Sequence, residues 1–195
     1  MSDPMEVLEF WLGEVGPDGW YSGGEALDDE CRARFLDIWQ AANEDGLEHW
    51  VEGTVGTLAY LVICDQLARN IHRGTGLAFA TDARALSAAR RAVEAGWDMG
   101  APEPERQFFY MPFEHSENLA DQEIAVQLLT ERLASDPDMA LHACAHRSII
   151  RRFGRFPFRN QTLGRDTTPE EAAFLAAGGY GAEVARLRAS HAPDA

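Results

Sequence analysis

Apolar residues return every third or fourth position along most of this chain, the period of a helix with one buried face. No stretch alternates apolar and polar residues between hairpin turns, so strands are not expected. The pattern predicts a short helix from Asp3 or Pro4 that carries Val7, Leu8, Phe10 and Trp11 and stops at Gly13. A Gly/Pro-rich loop to Gly24 holds Trp20 and Tyr21, and Asp28 then caps a helix with Phe35, Ile38 and Trp39 on one face. Thr54 opens the most apolar helix, through Leu58, Leu61, Val62 and Cys64 to Leu67. Thr81 or Asp82 starts an alanine-rich helix that reaches Gly96. Pro102 and Pro104 mark another start, and Pro112 kinks or ends the aromatic segment that follows. Amphipathic helices are expected over Leu119 to Leu133 and Pro137 to Phe153, the second closing at Gly154. In Thr168-Pro169-Glu170-Glu171 a hydroxyl cap, a first-turn proline and an acid three residues on give a strong helix start. That last helix is expected to end near Gly178, with a weakly specified tail. The fold class is therefore all-α, about eight or nine helices in a single domain, residues 1–195, with an ordered core over 4–178.

Composition narrows the function classes. The chain has 195 residues and is 46% hydrophobic, enough for an ordinary globular core. Its formal charge of -15 repels phosphate backbones and anionic lipid, so neither nucleic acid nor a membrane is expected as a partner. All 17 basic residues are arginine, which removes any Schiff-base or lysine-base mechanism and makes every cation a planar fork for carboxylate or phosphate. Cys31, Cys64 and Cys144 lack metal or redox spacing. The first residues lack the profile of a signal peptide and no apolar run is long enough to span a membrane, so a cytoplasmic location is expected.

Three polar segments sit in apolar surroundings and need partners or a ligand. The first is Phe109-Tyr110-Met111-Pro112-Phe113-Glu114-His115-Ser116-Glu117. Here His115 is a candidate general base, oriented by Glu114 or Glu117. The second is Asp65-Gln66-Leu67-Ala68-Arg69-Asn70, at the end of the most apolar helix. Asp65 and Arg69 are one turn apart, Asn70 suits a helix terminus, and a carboxylate at Asp65 needs a cation or a donor. The third runs from His146 to Arg165. Arg155 and Arg159 flank Phe156-Pro157-Phe158 and are either structural ties to buried acids, such as Asp65, Glu114 and Glu117, or an anion clamp. His142 and His146 have the spacing of zinc ligands, but Ala143 stands where a zinc protease carries its glutamate, so no metal and no other cofactor is expected.

These three segments in this order, with Phe10-Trp11 and Phe79-Ala80-Thr81-Asp82, resemble the bacterial DUF924 family over nearly the whole chain. The resemblance implies an all-helical fold like that of tetratricopeptide repeats, and no reaction. Members of the family often carry histidine where this chain has Phe158, which counts against chemistry that depends on that histidine.

Two functions follow as expectations. One is a pocket lined by Gln66, His115, Arg155, Arg159 and Asn160, with Asp65, Arg69 and His146 nearby, that takes a small anionic ligand or a peptide carboxylate. The other is a metal-independent hydrolase or lyase using His115 with Glu114 or Glu117. A structural interaction module, with all three segments acting as core ties, is the third reading. On the pocket readings, His115, Glu117, Arg155 and Asn160 should gather around one cavity.

Overall fold

The computed structural model describes residues 3–191, and every regular element in them is helical. The chain divides into two compact units, with the boundary after Pro112.

In the first unit, α1 (Pro4–Leu8) continues as a π-helical turn over Glu9–Val15 and leads into α2 (Gly16–Trp20). The loop expected from Gly13 to Gly24 is therefore helical as far as Trp20 and irregular only after it. The wider turn bonds the Gly16 N–H to the Trp11 carbonyl, which also accepts the Trp20 indole N–H at 2.7 Å. That arrangement keeps Phe10, Trp11 and Trp20 in the core. Next comes α3 (Glu25–Asn43), which starts before Asp28. Asp28 is thus not its cap. It is buried and bound by Arg73 and, at 2.8 Å, by the Asn70 amide, which ties α3 to the helix carrying Asn70.

The most apolar helix is α4 (Thr54–Leu61), a second π-helical turn (Val62–Leu67) and α5 (Ala68–Ile71) in succession. It packs against α1, α3 and α6 (Asp82–Ala95). Gly56 allows its first turn to approach the preceding chain, since a Cβ there would sit 2.2 Å from the Trp50 carbonyl oxygen. Thr81 precedes α6 but caps nothing with its side chain. Its hydroxyl donates to the Cys64 carbonyl at 2.6 Å, on the π turn. Gly96 closes α6 in the left-handed conformation, as the pattern predicts.

The segment after Pro104 is a 3₁₀ turn (Glu105–Phe109) followed by the one-turn helix α7 (Met111–Glu114). In the second unit, α8 (Leu119–Arg132) and α9 (Pro137–Phe153) pack together, and Gly154 ends α9 with φ 68°. The helix α10 (Pro169–Ala176) begins with the full capping box of Thr168 and Glu171. A further helix was not expected: α11 (Gly179–His191) packs on α9. Gly178, Gly179 and Gly181 hide its start in the sequence. One core cluster of this unit is Ile149, Ile150 and Phe156, with the partly buried Phe153, Phe174 and Tyr180 packed against it. Ile149, Ile150 and Phe156, buried, contribute about 1.5–3 kcal/mol each. Among the described residues no helix is long and apolar enough to cross a membrane.

Candidate functional site

Helix α7 delivers Glu114 into the second unit, where its side chain is 2% exposed. Its Oε1 accepts the Nδ1–H of His146, from the middle of α9, at 2.6 Å. The same Nδ1 lies 3.0 Å from the His142 carbonyl one turn earlier, which fixes the ring plane. Among the described residues Glu114 Oε2 has no hydrogen-bond partner although it is buried. Burial pushes this carboxyl up, but the charge and hydrogen bond of His146, with His115 and His142 adding theirs, outweigh it and hold Glu114 below the usual carboxylate range. The rings close the group: His115 meets His146 edge-on at 6.2 Å, Phe156 meets it edge-on at 5.4 Å, and Tyr180 lies 4.7 Å from it. The Tyr180 hydroxyl in turn bonds His142 Nδ1.

Two further clusters share the Phe156 loop. Glu117 accepts the Phe156 backbone N–H at 2.8 Å and is gripped by both terminal nitrogens of Arg165, at 2.7 and 3.0 Å. Burial raises the Glu117 carboxyl, and Arg165, the Phe156 N–H and Arg159 together bring it below its ordinary value. Arg155 forks onto Glu171 at 2.6 and 2.8 Å, and Asn160 adds its amide to the same carboxylate at 3.2 Å. The Arg155 bonds, with the Thr168 N–H, hold Glu171 at about 2. Arg159 is buried, its guanidinium 4.7 Å from the Phe156 ring centre.

The expected residues of the second unit thus gather around Phe156, but in distinct groups. Glu114, His115 and His146 form one, Glu117 with Arg165 another, and Arg155 with Asn160 and Glu171 a third. Asp65, Gln66 and Arg69 belong to the first unit, where they form a network of their own. Asp65 accepts Gln66 at 2.5 Å and Arg69 at 3.2 Å, and Arg69 also binds Asp82 at 2.7 Å and the Ala78 carbonyl. Among the described residues no three or more His, Cys, Asp or Glu side chains are arranged to hold a metal ion.

Sequence reasoning missed Tyr180, because the helix bearing it was not expected, and Glu171 as the partner of Arg155. The capping-box pattern did find Glu171, but a first-turn acid carries no mark of the arginine it will meet. His142 was noted for its spacing with His146, whereas in the structure it works through its backbone carbonyl and through Tyr180.

No curated protein matches this chain. A solved structure does: a protein of unknown function, ATU0120, from Agrobacterium tumefaciens. It is 40% identical, with a TM-score of 0.83 over 88% of this chain and 96% of that one. The model of the family described as bacterial protein of unknown function, DUF924, matches residues 7–179. With that match across both units, the chain belongs to the DUF924 family.

Proposed function

We propose that the second unit carries a general acid–base site of the hydrolase or lyase kind, with His146 as the proton-transferring group and Glu114 as the carboxylate that orients it. The observation that carries this reading is the buried Glu114 carboxylate, bonded through one oxygen to His146 Nδ1 and with its other oxygen free of any hydrogen bond. A carboxylate on Nδ1 fixes the tautomer that leaves Nε2 able to take a proton, and it stabilises the imidazolium that results. Among the described residues His146 Nε2 has no hydrogen-bond partner, and the side chain is 14% exposed. His115, beside it, is placed to receive or return a second proton. The anion-clamp reading has less support, because Arg155 is already forked onto Glu171 and Arg159 is packed on Phe156.

Diethyl pyrocarbonate, which attacks neutral imidazole nitrogen, tests the reading without a known substrate. Peptide mapping should show His146 modified at least as fast as the exposed His49, and several-fold more slowly in Glu114→Gln. A His146 that stays unmodified after His49 has reacted fully would refute the proposal.

A further inference from the structure

In the first unit a groove of about 460 Å³ lies between α6 and the chain joining α3 to α4. One wall is a single face of α6, formed by Ala83, Arg84, Ser87, Ala88 and Arg91 at helical spacing. Asp45, Glu48 and Val51 form the other, with Tyr60 also lining the groove. Arg84 is committed to Asp45. The remaining two charges are not committed. Among the described residues Arg91 meets no carboxylate or carbonyl, its guanidinium lying 5.5 Å from the centre of the Trp97 ring, and Glu48 has no ion-pair or hydrogen-bond partner. Glu48 is nevertheless close enough to Tyr60 for its charge to add to burial and Cys64 in raising that phenol.

In a chain whose other arginines almost all find acids, an opposed Glu and Arg that face one groove without closing on each other are unusual. We infer that this groove binds a small zwitterion, a free amino acid with a branched aliphatic side chain, whose ammonium meets Glu48 and whose carboxylate meets Arg91. Arg91 and Glu48 supply the two opposite charges such a molecule needs, and Val51, Ala83 and Ala88 leave room for an apolar side chain between them. A simple anion would gain Arg91 but be repelled by Glu48, and a simple amine would face the reverse.

The test is calorimetric titration with L-leucine, with 4-methylpentanoate, which lacks the ammonium, and with 3-methylbutylamine, which lacks the carboxylate. Leucine should bind at least tenfold more tightly than either analogue. In Arg91→Ala leucine should weaken to the level of the amine, and in Glu48→Gln to the level of the acid. Because Glu48 forms no ion pair or side-chain hydrogen bond among the described residues and Arg91, exposed, meets only the Trp97 ring, both variants should melt close to the wild type, which separates lost binding from lost folding. Absence of leucine binding at millimolar concentration, equal binding of all three compounds, or variants that bind leucine like the wild type would each overturn the inference.

Discussion

At the scale of single residues, most polar groups of the Phe156 loop hold the fold, whereas Glu114, on α7, keeps a buried oxygen that has no hydrogen bond among the described residues. Its pairing makes a stability prediction. His146→Ala strands a buried carboxylate and should cost about 3–5 kcal/mol, read from urea unfolding, whereas the double change with Glu114→Gln should recover much of that loss. Arg159→Ala is likewise expected to lower the melting temperature clearly, because the guanidinium is buried and acts on Glu117. Added phosphate or small carboxylates should not stabilise the wild type, and stabilisation by them would restore the anion-clamp reading. Acid supplies a third check. Glu171 titrates at about 2 in the fold against an ordinary 4.5, a depressed value. Its contribution is therefore fully present above about 4.5 and is lost as the pH falls toward 2. Glu114 and Glu117 are shifted in the same direction. Stability should fall across that window, and less steeply in Glu171→Gln than in the wild type.

At the scale of elements, helices with a clear period and explicit ends were legible in the sequence. Those over Leu119–Arg132, Pro137–Phe153 and Pro169–Ala176 appear where hydrophobic spacing, prolines and the Thr168 box place them. What failed has local causes. Asp28 looked like a cap because acids are common at helix starts, but tertiary contacts with Arg73 and Asn70 took it inside. The helix Gly179–His191 was lost because glycine lowers helix propensity wherever packing is unknown. Close approach is also invisible in a sequence, and Gly56 illustrates it. Gly56→Ala should destabilise by about 1–3 kcal/mol, since the added carbon meets backbone and one strand of chain must move.

For the whole molecule, the all-helical class followed from period alone, and the family motifs marked where polar chemistry lies. They did not say which acid meets which arginine, because with 32 acids to 17 arginines the sequence allows many pairings and the three-dimensional path of the chain selects among them. The same surplus of acid keeps the molecule strongly anionic at neutral pH, so its solubility should be lowest near its isoelectric point of about 4.7. A metal-free protein is the remaining expectation. Elemental analysis of untagged material should find no zinc, manganese or iron near stoichiometry, and a full equivalent of any of them would call for a different chemistry.

The π-helical turn at Val62–Leu67 gives the central helix one place where it can lose a residue without losing phase. Such a turn amounts to one surplus residue in an α-helix, and each α-helical residue turns the chain by about 100°. Removing Ile63 would let the helix regularise with the residues after it still in phase, Arg69 toward Asp82 and Asn70 toward Asp28, whereas removing Leu58 from the α-helical turns would twist both away. Removing Gly74, in the exposed loop that follows, resets no helical phase. Deletion scanning across residues 54–74 should therefore show expression and solubility falling furthest in the α-helical turns before Val62, less inside the π turn and least in the loop.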